Sequence, residues 1–253
     1  MSQLYGATLI WGSAGAPQPA TCILESCDYK MSSQVHHEPD GVGDNSASVL
    51  YRPKAAIQFA GVITDLTVDL PDLSQGAKIG LAHAAIVGGM VLCSSLIEEW
   101  VMDQPKKFNG AAAHFPDCVS AIGDVLAGVL DGTFAQTGPL IHPAAKLVWS
   151  TQGLTSALGT VQRLRIEQTL TLAEPKTDPL KITTVVSHAY MRKISLEVLA
   201  LPNATLPAND TILAVTGAPA HGAGAIISDA GWKWKRADSA MIEVEAFWHP
   251  GLA

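Results

Sequence analysis

Charge is scarce in this chain: Asp, Glu, Lys and Arg make up 15% of its 253 residues, and 16 basic side chains face 23 acidic ones. The net charge of -7 argues against a broad phosphate-gripping surface, because nucleic-acid binding without sequence preference draws its affinity from clustered Lys and Arg. Aromatic residues are also few, at 6%, whereas hydrophobic residues reach 48%. Disordered chains have the opposite composition, so this one folds. Cysteine is limited to Cys22, Cys27, Cys93 and Cys118, with no C-x-x-C pair and no His at zinc spacing. Buried free thiols are expected, not a metal knuckle or a disulfide framework. Met1-Ser2-Gln3-Leu4-Tyr5 lacks the basic segment and apolar core of a secretion signal, and synthesis in a reducing cytoplasm is the expectation.

Ile79 to Ile97 is the one long uncharged run, close to the ~20 residues that a membrane helix needs. His83, Gly88-Gly89 and Ser94-Ser95 interrupt it, and no Lys or Arg follows before Lys106, so the positive anchor of a span is missing. Two short buried strands joined at the glycines are expected there, with a membrane helix as the alternative.

The length exceeds the ~150-residue domain prior, which leaves one large β domain or two smaller ones open. Self-similarity favours two. Ala7-Thr8-Leu9-Ile10-Trp11 resembles Ala145-Lys146-Leu147-Val148-Trp149; Glu38-Pro39 answers Glu174-Pro175, Lys54 answers Lys193, and Leu70-Pro71-Asp72 answers Leu201-Pro202-Asn203. Trp100 and Phe115 near the end of the first half answer Trp232, Trp234 and Phe247, in the same order. The expected division is a first β-sandwich domain over 1–119, a helix and linker over 120–143, and a second sandwich over 144–253.

Period-two alternation carries the β reading. Leu164, Ile166, Leu170 and Leu172 point one way, and Arg163, Arg165, Glu167, Thr169 and Thr171 the other. Ile194, Leu196 and Val198 alternate with Lys193, Ser195 and Glu197, and Ile242, Val244 and Ala246 with Glu243 and Glu245. Ile57 and Phe59 around Gln58 repeat this more faintly, and turn clusters such as Asp40 to Asn45 separate the runs. An all-β chain of two tandem, similar sandwiches or barrels with one or two short helices follows. The helix is expected where Val119, Ile122, Val125, Leu126, Val129 and Leu130 recur at spacings of three and four, between Asp117 and Gly132.

No residue pattern carries catalysis, a cofactor or a metal. His36-His37-Glu38-Pro39-Asp40 is the densest ligand cluster, yet adjacent histidines on a strand face opposite sides. Ser13 in Gly12-Ser13-Ala14-Gly15 is not a nucleophile elbow, and His221-Gly222-Ala223-Gly224 lacks the lysine and spacing of a phosphate loop. Trp232-Lys233-Trp234-Lys235-Arg236 reads as a strand with one packed and one solvated face, with single-strand stacking as the alternative. The chain is expected not to be an enzyme.

The order of these segments in each half is an N-terminal strand, a strand entering a Glu-Pro loop, a long strand reaching a Leu-Pro turn, and a Trp-bearing strand before a closing one. It resembles the tail tube proteins (major tail proteins) of tailed bacteriophages and their relatives in contractile and secretion systems. Both halves are covered, although the closing segment of the first, Gly110 to Phe115, is rich in alanine. The resemblance implies a structural virion protein of the tail, made in the host cytoplasm, whose rings stack into a DNA-conducting tube. A chain with two tube domains then forms a homotrimeric ring of pseudo-sixfold symmetry, contacts other tail proteins, avoids membranes and passes DNA without binding it specifically. Edge strands completed by a neighbour supply the assembly bonds. Glu167, Glu197, Glu243 and Glu245 are candidates for a phosphate-repelling bore, and Asp40 to Ser46 for a ring-stacking loop. A tail terminator, neck adaptor or capsid decoration protein is the neighbouring alternative, and a carbohydrate-binding β-sandwich module a more distant one.

Overall fold

The computed structural model describes residues 2–3, 8–10, 13–17, 22–39, 42, 45–63, 70, 72–74, 78–82, 86–102, 104–123, 131–134, 155–156, 158–175, 180–213, 224–233 and 240–249. Their regular structure is all β. In chain order the strands are β1 (Ser2–Gln3), β2 (Thr8–Ile10), β3 (Ser13–Pro17), β4 (Cys22–Pro39), β5 (Asn45–Ile63), β6 (Lys78–Ala82), β7 (Met90–Val101) and β8 (Lys106–Phe115). They continue with β9 (Ser120–Gly123), β10 (Asp131–Phe134), β11 (Thr155–Ser156), β12 (Gly159–Ala173), β13 (Thr184–Ala200), β14 (Ile226–Lys233) and β15 (Met241–Trp248).

Eight long strands form one antiparallel run in the order β4-β5-β8-β7-β12-β13-β15-β14, with β1 outside β4. The alternation read in the sequence decides which face is buried: Leu164, Ile166, Ile194, Leu196, Val198, Ile242, Val244 and Ala246 are all at most 1% exposed. Two apolar clusters lie along this face. One gathers Leu24, Ile57, Phe59, Leu92, Leu96, Phe108 and Phe115 with Leu70 and Leu73. The other gathers the second half's strands with Trp100, Leu213 and Ala225, and Trp248 packs against both. The run from Ile79 to Ile97 holds parts of β6 and β7, paired antiparallel at Lys78–Leu92 and Ile79–Val91. Gly88 and Gly89 precede β7 with φ of 70° and 64°, and a Cβ on Gly89 would sit 1.9 Å from the Phe115 carbonyl oxygen. Among the described residues no helix is long and apolar enough to cross a membrane.

The same pairing pattern occurs twice. All thirteen β12–β13 pairs coincide with β4–β5 pairs 137 positions earlier, as Ala189 stands to Arg52. The eight β13–β15 pairs coincide likewise with β5–β8, and the seven β14–β15 pairs with β7–β8, the latter strands being offset by 134, as Ser228 stands to Ser94. Even the irregularities agree. Glu25 and Gln162 are extra residues in the first strand of each half, Arg52 and Ala189 begin a bulge in the second with φ of 52° and 54°, and Ser94 and Ser228 are extra in the third. Both serines donate their hydroxyl across the bulge at 3.2 Å, to the Ala111 and Glu245 carbonyls.

Of the correspondences noted in the sequence, Lys54 and Lys193 lie on β5 and β13, but the shared register makes Lys54 equivalent to Met191, and Leu70 and Leu201 stand 131 apart against the offset of 137. The two halves share one sheet, because β7 pairs with β12 from Val101–Arg163 to Ser95–Thr169. The segment 145–149 and the boundaries around 143 lie outside the described residues.

The helix expected from Val119 to Leu130 is corrected where those residues are described. Ser120 to Gly123 form β9, parallel to Thr184–Ser187 of β13, and Val119 is 80% exposed, with its N–H donated to the Thr183 carbonyl. A short apolar run spaced by three and four does not distinguish a helix from a strand; here an available ladder and β-branched residues favour the strand. Residues 124–130 lie outside the described set.

Candidate interaction face and sheet edges

The solvated face of the sheet collects the charges that alternate away from the core. Glu167, Glu197, Glu243 and Glu245, singled out in the sequence, all lie on it, but not as an unopposed acidic lining. Arg163 reaches Glu99 and, at 3.4 Å, Glu197; Arg165 is 3.3 Å from Glu167, Lys193 is 2.9 Å from Glu245, and Lys233 pairs with Glu243. The Glu99 hydrogen bond, with the Glu99 and Glu197 charges, raises the Arg163 guanidinium above its usual range against burial. Each pair is exposed enough to contribute at most about 1 kcal/mol. Their effect is that these cations are already paired with carboxylates of the same face.

Two depressions open on this face at equivalent places. The first, about 380 Å³, is bounded by Ser26, Asp28, Gln58, Ala60, Ser95 and Asn109; the second, about 360 Å³, by Arg163, Arg165, Ser195, Glu197, Asp229 and Glu243. Those are the same six positions under the offsets above. Their floors are complementary: Phe59 faces Gly110 in one, Leu196 faces Val244 in the other. A large side chain beside glycine in one half is replaced by two medium ones in the other.

Buried polar groups lie near where the halves meet. Glu98 and Lys106 are ion-paired at 1% and 0% side-chain exposure; Trp100 donates its indole N–H to Glu98 at 2.8 Å, and the Lys106 ammonium lies 4.3 Å from the Trp100 ring centroid. A second cluster ties Asp72 and Leu73 to the later strands. Arg192 donates to both Asp72 carboxylate oxygens at 3.0 Å and to Tyr190 Oη at 3.1 Å, and the Gln168 Oε1 accepts from Tyr190 and from the Leu73 N–H. Burial alone would raise the Asp72 carboxyl, but hydrogen bonds from Ser74 and the Arg192 charge outweigh it and hold the group below its ordinary value. Burial pushes the Tyr190 hydroxyl up, and the thiols of Cys27 and Cys93 up to about 11 and 12. Cys27, Cys93 and Cys118 are buried and unbridged.

The remaining sequence candidates fall apart in space. His36 and His37 lie exposed on β4, with His37 Nδ1 2.7 Å from the Ser48 hydroxyl, and no group of three metal-ligating side chains exists among the described residues. Ser13 opens β3, which pairs with β10 and is no strand-to-helix elbow. Trp232 is 44% exposed at the outer strand β14, so its face is not fully packed, while 234–236, most of 40–44 and 221–223 lie outside the described residues. The arm of β4 and β5 beyond Ser32–Lys54 carries exposed Val35, Val49 and Leu50. Bulge positions, the joint between halves and the buried ion pair had no signature in the sequence. No protein-family model and no curated protein matches the chain.

Proposed function

We propose that this chain is a tail tube subunit of a tailed bacteriophage, a structural virion protein whose rings stack into a channel for DNA. The observation that carries the reading is the repeat of strand order, register and bulges, with the two copies already joined edge to edge in one sheet. A sheet built by adding one four-strand unit to the next leaves an unfilled edge at each end, and a ring is the closed arrangement that removes both. Three chains of two units make the pseudo-sixfold ring that the resemblance implies. The ion-paired polar face supports a conducting role, because cations held by neighbouring carboxylates offer little net attraction to phosphate. The protruding β4–β5 arm, with apolar side chains in solvent, supports ring stacking.

Negative-stain microscopy with mass measurement of purified protein over a range of concentrations tests this. Stacked rings of three subunits are expected. A monodisperse monomer at high concentration overturns the reading, and single rings that never stack shift it to a tail terminator, neck adaptor or decoration protein.

A further inference from the structure

The joint between the two halves is a template for a joint between two chains. On β7, the five residues Ser95 to Glu99 pair with β12, whereas their counterparts Asp229 to Lys233 on β14 pair with β15 alone among the described residues. The match extends to what precedes the open stretch: β6 covers β7 at Leu92, and the segment around Ile212 covers β14 at Ile226, the equivalent place. The edge that corresponds to the β12 side of the joint is the outer edge of β4. There, among the described residues, β1 occupies Asp28 and Tyr29, and it does so antiparallel, the direction in which β7 meets β12.

We infer that β14 of one copy of this chain adds to β4 of a second copy, antiparallel, in the register of the internal joint. Carried over by the two offsets, Glu99 opposite Arg165 becomes Lys233 opposite Asp28, Glu98 opposite Ile166 becomes Trp232 opposite Tyr29, and Leu96 opposite Gln168 becomes Ala230 opposite Met31. The chemistry fits in each case. Opposite charges again face each other across the ladder, with their signs reversed, although in the internal joint Glu99 makes its ion pair with the neighbouring Arg163. Trp232, 44% exposed, takes the position that Glu98 holds at 1%, and pairing brings it over Tyr29 and the apolar layer beneath. Met31, 54% exposed, gains a cover. β1 holds the edge by two residues and yields to a five-residue strand, since each added ladder position supplies further backbone hydrogen bonds.

The inference deepens the tube reading and rests on it for the identity of the partner, but its test separates the two. Opposed residues in an antiparallel pair have Cα atoms about 4.5–5.5 Å apart, inside the range that a disulfide spans. One preparation carries Met31→Cys and another Ala230→Cys. Mixed and oxidised, they are expected to give a covalent dimer that neither gives alone, and Met31→Cys mixed with Gly231→Cys, one residue out of register, is expected to link at least tenfold less. A chain carrying both Met31→Cys and Ala230→Cys should close into a covalent ring whose mass counts its subunits. As a second measurement, Lys233→Asp and Asp28→Lys should each weaken assembly about fivefold, and the double variant should restore part of it, the Lys233–Glu243 pair within the chain staying lost. Rings without the disulfide, or equal linking in the slipped pair, overturn the joint and leave the tube reading standing. Linked rings that never stack uphold the joint and remove the tube, and an absence of both linking and oligomers overturns both.

Discussion

The complementary floors of the two depressions allow the repeat to be tested by exchange. A Cβ at Gly110 would lie 2.4 Å from Phe59 Cζ and 2.9 Å from the Ser95 carbonyl oxygen, so Gly110→Val cannot be accommodated without displacing the ring. Overpacking of this kind costs about 1–3 kcal/mol, with the upper end expected because Phe59 is 3% exposed and the Ser95 carbonyl is backbone that cannot move aside like a side chain. Phe59→Leu alone leaves a small void and removes the contact with Phe108, whose ring centroid is 6.3 Å away, for a loss of about 1–2 kcal/mol. Together the substitutions install the Leu196–Val244 pair of the second half at the equivalent register. The void left by one receives the methyl groups of the other, and the double variant should lose only about 1–2 kcal/mol, a favourable coupling of roughly 3 kcal/mol. Urea unfolding followed by circular dichroism, at a concentration where the chain is monomeric, reads this as midpoints at constant slope. A double variant destabilised by the sum of the singles, within about 0.5 kcal/mol, would refute the equivalence of the two sites.

Two further perturbations probe the buried polar groups. Glu98→Gln should cost about 3–5 kcal/mol, because it strands the Lys106 ammonium in the core, whereas adding Lys106→Met should recover most of the loss, the new amide oxygen at position 98 still accepting from Trp100; thermal melts of both variants decide it. Asp72→Asn should cost on the order of 3 kcal/mol at pH 7 by leaving the Arg192 guanidinium under-partnered. With the Asp72 value lowered on folding, its contribution is fully present above the unfolded carboxyl range of about 4 and is lost as pH falls through the folded value. The gap between wild type and Asp72→Asn in urea midpoint should therefore narrow only below about pH 4, and a gap unchanged down to pH 2 would exclude the ionised carboxylate as its source.

Local pattern made the β class legible, since the face on which Leu164, Ile166, Ile194 and Val244 sit follows from a spacing of two wherever a strand forms. The same local logic failed at Val119 to Leu130, where three-and-four spacing described a helix and Ser120 to Gly123 instead took the ladder of β13. The order of segments suggested two similar halves, yet the correspondence of Lys54 with Lys193 stands two residues off the register that the ladders share. Identities between the halves are few, and what is shared is register, which the hydrogen-bond ladder records and side-chain identity does not.

Alternation was thus a property of the amino-acid sequence by itself, because it depends on residues close together in the chain, and the acidic balance was too, because it is a sum over composition. Tertiary structure alone decided that β7 meets β12, that the bulges recur, that Glu98 and Lys106 are buried together and that the outward carboxylates stand beside cations. Those are contacts between different strands, chosen by which strand edges find partners and which charges must be matched once water is excluded, and local spacing does not record them even where, as for Glu98 and Lys106, the residues are near in sequence.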